Sequence, residues 1–258
     1  MTDATISPAK AFSRWQASGL HLLISAAIAA IAVAIMLGVW YPPPLFTAEG
    51  GSGLLIILVA VDIVIGPLIT LIIFKAGKRG LRFDLAVIGI VQVSALVYGC
   101  YVMFVARPVF IAFVVDQFET VRAIELDDAD LAKARHPEFR SLSITGPVLM
   151  AVEPPADENE RMQRTFETLG GGKDLRHHPQ YYVPYAGYKA QVVKKSQPLE
   201  SARKQDKEMA GMMEKYLAGS GRKASELRYA PLRTRRGFGV VLIDAATGDV
   251  VKLLPPNL

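Results

Sequence analysis

The stretch Lys75-Ala76-Gly77-Lys78-Arg79-Gly80-Leu81-Arg82 decides the reading. It separates two long apolar runs and carries four of the six cations that precede Ala106. The run after it, residues 85–106, holds no charged side chain, and the run before it, residues 54–74, holds only Asp62. A third run, residues 21–40, has no Asp, Glu, Lys or Arg at all. At a rise of about 1.5 Å per residue, each run matches the roughly 30 Å thickness of a bilayer's hydrocarbon layer. The chain therefore reads as an integral membrane protein with three transmembrane α-helices, at about 21–40, 54–74 and 85–106. Lys75, Lys78, Arg79 and Arg82 set the orientation, because short loops rich in lysine and arginine stay in the cytoplasm. Lys10 and Arg14 put residues 1–19 on the same side as a short cytoplasmic tail. Residues 41–53 and everything after Ala106 then face outward.

Charge is distributed in keeping with that division. Of 258 residues, 51% are hydrophobic, and of the 53 charged residues only 10 precede Ala106. Residues 20–106 form a membrane domain, and residues 107–258 form a water-facing domain that in a two-membrane bacterium lies in the periplasm. The net charge of +5 is not a nucleic-acid signature, since 23 basic and 20 acidic residues interleave after Ala106. Long domains translocate regardless of such charge. The single cysteine, Cys100, excludes a disulfide framework and reads as a small packing residue in the third span. Ala-x-Ala triplets at Ala27 and Ala30 leave a signal peptide as an alternative for the first span, although that run exceeds the usual 7–15 residues of an h-region. A prepilin leader is disfavoured, because Gly19 is followed by an acid-free run.

Inside the spans, Ser25, Ala29 and Ala32 offer a small face for close helix approach. Asp62 is the sharper signal, since a carboxylate at mid-membrane costs a few kcal/mol and should face other helices. It shares a helical face with Gly66 and Thr70. Pro67 removes a backbone donor and predicts a kink, with Gly66 making room for a neighbour. Gln92 and Tyr98 are the polar partners expected for Asp62. A structural hydrogen bond and an ion or proton pathway both remain open as its role.

After Arg107-Pro108, residues 109–115 read as a buried strand. Asp127 or Asp128 caps a short helix running to Arg135, and residues 148–152 form a second strand. Helices are expected over 157–169, stopping at Gly170, and over 199–217. Residues 238–243 and 250–254 read as a terminal hairpin, with Gly248 at a positive-φ turn position. Together these predict a small α+β domain. Chemistry is sparse. The adjacent His177 and His178 do not make an i, i+4 metal pair, and no G-x-S-x-G or Walker element occurs. No catalytic, cofactor or metal residue is expected. Arg233, Arg235 and Arg236 form a basic patch suited to lipid headgroups, an acidic partner or plain solvent.

Residues 40–126 resemble the TfpX/TfpZ family of type IV pilin accessory proteins. The likeness is carried by Trp40-Tyr41-Pro42-Pro43-Pro44-Leu45-Phe46 and by Val61-Asp62-Ile63-Val64-Ile65-Gly66-Pro67-Leu68 with Phe74-Lys75. It continues through Asp84-Leu85-Ala86-Val87, and through Arg107-Pro108-Val109-Phe110 running into Phe113-Val114-Val115-Asp116-Gln117-Phe118. It is weaker at Ala230-Pro231-Leu232 and the terminal hairpin. The resemblance implies a non-enzymatic inner-membrane protein that binds type IV pilin or the assembly components of the pilus, and it brings no catalytic residues with it. A periplasmic sensor or receptor is the rival reading, disfavoured by a cytoplasmic loop of only about eight residues. A membrane-bound modifying enzyme would need convergent polar groups that Asp62 alone does not supply.

Overall fold

The computed structural model describes residues 12–205 and 207–256, so Lys10 and the rest of the first eleven residues lie outside it. The first helix, α1 (Arg14–Ile35), starts seven residues before the uncharged run. Ser13 and Gln16 cap it reciprocally: the Ser13 N–H donates to Gln16 Oε1 at 3.0 Å and the Gln16 N–H to Ser13 Oγ at 3.2 Å. That capping box satisfies donors a helix start would otherwise leave bare. A π turn (Met36–Trp40) extends the helix, and a short helix, α2 (Leu45–Ala48), follows the three prolines.

The second apolar helix is composite. α3 (Gly51–Ala60) passes through a π segment (Val61–Ile65) into α4 (Gly66–Ile73). The Gly66 N–H donates to the Val61 carbonyl, five residues back. Pro67, which has no N–H to donate, follows at the start of α4, so the hydrogen-bond ladder is re-spaced just before the proline. The third helix is α5 (Leu81–Val105). All three, Arg14–Trp40, Gly51–Ile73 and Leu81–Val105, are long and apolar enough to cross a membrane.

Two compact units result. One contains the described residues up to Ile35 together with residues 53–102; the other contains residues 36–52 and those from Met103 onward. In the first, the Ser18 hydroxyl donates to the Pro67 carbonyl at 2.9 Å, and His21 Nδ1 lies 2.6 Å from Thr70 Oγ1. Ser25 and Ala29 are buried, as expected of the small face.

The second unit is sheet-rich. Its elements are β1 (Pro108–Val114), β2 (Gln117–Arg122), α6 (Asp128–Leu131), β3 (Val148–Val152), α7 (Glu158–Leu169), β4 (Tyr182–Pro184) and α8 (Tyr185–Lys195), followed by β5 (Gln197–Pro198), α9 (Leu199–Gln205), α10 (Lys207–Ser220), β6 (Leu227–Thr234), β7 (Gly237–Asp244) and β8 (Val250–Leu254). The strands make one mixed sheet in the order β4-β3-β1-β2-β6-β7-β8, with β5 also pairing β6. β1 is parallel to β3 and antiparallel to β2. Every residue of β1 is buried, because its alternate side chains feed two cores. Phe110, Ala112 and Val114 enter one with Met150 and Tyr182, while Ile111 and Phe113 enter the other with Phe118, Leu232 and Val241. Leu45, from the loop between the first two apolar helices, is 1% exposed and belongs to that second core. Burying such a side chain contributes about 1.5–3 kcal/mol.

Several expectations change in detail. The strand at 109–115 ends at Val114, and Val115 turns into β2 with φ 59°. The helix after Asp127 stops at Leu131, short of Arg135. The segment 199–217 is two helices flanking residue 206, which lies outside the described residues. The terminal hairpin is present, and α2, β2, β4, β5, β6 and α8 are elements that the sequence reading does not contain.

Candidate functional site

Within the unit of apolar helices, the expected site residues divide. Asp62 is 5% exposed and stands in the π segment. Gln92 Nε2 donates to the Asp62 backbone carbonyl at 3.3 Å, so it meets the main chain instead of the carboxylate. Gly66 gives the Gln92 amide its room: a Cβ at position 66 would lie 2.0 Å from Gln92 Nε2. Pro67 offers its carbonyl to Ser18. Tyr98, by contrast, is 69% exposed and is not brought to Asp62. Asp62 Oδ1 has no hydrogen-bond partner among the described residues. The carboxylate instead lines a cavity of about 140 Å³ together with His21, Ser25, Ile28 and Gln92. Ser18 and His21 were not singled out from sequence, although their spacing by three places both on one helical face. Lys75, Lys78, Arg79 and Arg82 cluster around the turn between α4 and α5, where Lys78 Nζ pairs with Asp84 Oδ2 at 2.6 Å.

In the sheet unit, Trp40 and Tyr41 meet residues at the end of the third helix. The Tyr41 hydroxyl donates to the Met103 carbonyl at 2.8 Å, and Trp40 packs edge-on against Phe104. Arg107 stacks 3.7 Å over the Phe104 ring and donates through Nη1 to the Phe104 carbonyl at 2.6 Å. Its Nε and Nη2 both reach the Ser143 carbonyl, at 3.1 and 3.0 Å. Burial pushes the Tyr41 phenol well above its ordinary range, with the Glu49 charge adding to the effect. The phenol is therefore a fixed donor at neutral pH.

A second region lies beside α7. Its stripe of Met162, Phe166 and Leu169 is exposed, and Val115 is 53% exposed at the β1–β2 turn. Val115, Pro154, Arg161, Thr165 and Leu169 line an open groove of about 700 Å³. His177 and His178 lie in the segment after α7. Burial, together with Arg176 at His177 and Arg164 at His178, lowers both imidazoles below the usual histidine range. Among the described residues no group of three or more His, Cys, Asp or Glu is placed to hold a metal ion.

These features define a class of protein: membrane-length apolar helices joined in sequence to a mixed-sheet unit, with buried polar side chains facing cavities in both. The chain belongs to the fimbrial assembly protein family. It is 31% identical over 184 residues to the "Fimbrial assembly protein, serogroup I" of Dichelobacter nodosus, which spans 70% of this chain and 71% of that one. The serogroup E1 protein of the same organism is 30% identical over 184 residues, with the same shares. A third, from serogroups C1 and C2, is 36% identical over 101 residues, 38% of this chain and 77% of its own. The family model described as Fimbrial assembly protein FimB matches residues 9–50, which take in α1, the proline loop and Glu49. No solved structure matches the chain.

Proposed function

We propose that this protein is a non-enzymatic accessory factor for assembly of type IV pili, of the TfpX/TfpZ kind. It resides in the bacterial inner membrane with residues 107–258 in the periplasm, and it binds pilin or the pilus assembly platform before polymerisation. Family membership supports the assembly role, since the relatives carry fimbrial assembly in their names. The single structural observation that carries the binding role is the unpartnered Asp62 Oδ1 beside a cavity of about 140 Å³. A buried acceptor without a donor costs about 1–3 kcal/mol, so a donor brought by a partner helix would recover that cost on binding.

The test is photo-crosslinking in living cells from Val93, which lines the same cavity and is 58% exposed. Adducts with pilin or an inner-membrane assembly component are expected, and they should disappear in the Asp62→Ala variant at equal protein abundance. A Val93 probe that captures neither would contradict the reading.

A further inference from the structure

The sheet unit holds a second polar cavity, of about 230 Å³, lined by Glu49, Thr120, Arg122, Glu125, Arg176, Arg233, Thr234 and Arg235. It is built by the proline loop, β2, the segment before β4 and the β6–β7 turn. The loop is locked there through backbone and side chain alike. The Arg236 N–H donates to the Ala48 carbonyl at 3.1 Å, and the Thr120 hydroxyl donates to Glu49 Oε1 at 2.7 Å. Glu49 is 5% exposed, and its other oxygen, Oε2, has no hydrogen-bond partner among the described residues.

Four arginines line this cavity, and three of them are paired to carboxylates. Arg122 pairs with Glu125 at 2.8 Å, Arg176 with Glu119, and Arg233 with Asp174 at 3.5 Å. These pairs fix three guanidinium planes while leaving N–H groups free, since each guanidinium has five donors. Arg235 makes no ion pair with any described residue. Burial pushes the Glu49 carboxyl above its ordinary range, against the pull of Thr120 and Arg122. The lining thus brings four guanidiniums and two carboxyl groups together from four segments.

We propose that this cavity binds a phosphate group. Four tetrahedral oxygens match donors arriving from several directions, where a carboxylate would offer only two. Arginine forks are the side chains best fitted to phosphate oxygens. A cavity of about 230 Å³ lies below the roughly 300–1,000 Å³ typical of drug-sized ligands, so it admits a headgroup-sized anion and not a nucleotide. Two sources of that chemistry exist. Glu49 lies two residues before the second apolar helix, where the chain would meet lipid headgroups, and free phosphate can reach the exposed Arg235 directly.

The test uses the full-length protein purified in detergent. Thermal shift and calorimetry with inorganic phosphate measure the free-ion arm. Native mass spectrometry after incubation with phosphatidylglycerol, with uncharged diacylglycerol as control, measures the headgroup arm. Saturable binding in either arm, weakened at least tenfold by Arg235→Gln and kept within about threefold by Glu49→Gln, is the expected result. Glu49→Gln keeps the side-chain shape and an oxygen to accept from Thr120, and Arg235→Gln alters an exposed side chain, so both should fold. Absence of binding in both arms, or equal binding by wild type and Arg235→Gln, would overturn the proposal. None of these outcomes depends on pilin binding.

Discussion

Thr120 of β2 donates its hydroxyl to Glu49 Oε1 at 2.7 Å across 71 positions of sequence, joining the loop between two apolar helices to the middle of the sheet. That loop is therefore part of the sheet unit's interior. Thr120→Val keeps the side-chain shape but removes the hydroxyl that donates to Glu49 Oε1. A loss of about 1–3 kcal/mol in unfolding free energy is expected, read by chemical denaturation in detergent. The double variant Thr120→Val/Glu49→Leu should regain part of it, because a buried polar group with no partner costs more than an apolar replacement.

Tyr41 and Met103 make a second tie of the same kind. Tyr41→Phe removes the hydroxyl that reaches the Met103 carbonyl at 2.8 Å while keeping the ring edge-on to Phe46. A smaller loss, about 0.5–1.5 kcal/mol, is expected by the same measurement.

Val115 carries strain that a glycine would relieve. A β-branched residue at φ 59° is held in the left-handed region, which costs about 1–2 kcal/mol, and its side chain is more than half exposed, so truncation loses little packing. Val115→Gly should leave stability unchanged or raise it by up to about 1 kcal/mol. A clear loss would show that Val115 packs against something in the folded protein.

Acid sensitivity should centre on Asp130. Burial acts to raise its carboxyl, but hydrogen bonds and charge from Lys173 and Lys133 outweigh that and bring it down to about 2. A carboxyl depressed in the folded state adds stability above its ordinary value near 3.8, and that stability is lost as pH falls from about 4 toward 2. Lys173→Met should shrink the contribution and move the acid-unfolding midpoint to higher pH, followed by near-ultraviolet circular dichroism.

Gly239 allows the last strand to close on β7. A Cβ there would lie 2.3 Å from the Leu254 carbonyl oxygen, a backbone atom that can move only with its strand. Gly239→Ala should detach or shift β8 and raise amide exchange across residues 250–254, with exchange in β1 unaffected.

How much of this was legible beforehand follows from where side chains alone dictate structure. β1 was readable because a β-branched and aromatic run between Pro108 and a turn has few alternatives. β6 was hidden by Pro231 and two arginines, since proline inside a run argues against a strand. The structure accommodates it because β6 pairs β5 only at Arg228 and Tyr229 and pairs β2 only at Leu232 and Arg233, leaving Pro231 between the two stretches. Asp62 was conspicuous as the one acid in an apolar run, whereas Glu49 looked like an ordinary loop acid. Its burial depends on Thr120 and the β6–β7 turn, contacts that no local spacing encodes. The arginines at 233, 235 and 236 were visible as a cluster, but their division into paired and unpaired cations is a tertiary result.

The side of the membrane on which the sheet unit lies can be measured directly. In a Cys100→Ser background, single cysteines at Phe166 on the exposed α7 stripe and at Gly77 in the cationic turn would be probed in intact spheroplasts with a membrane-impermeant maleimide. The account predicts labelling of position 166 without lysis and of position 77 only after lysis. Labelling of position 77 in intact spheroplasts, with position 166 protected, would contradict it.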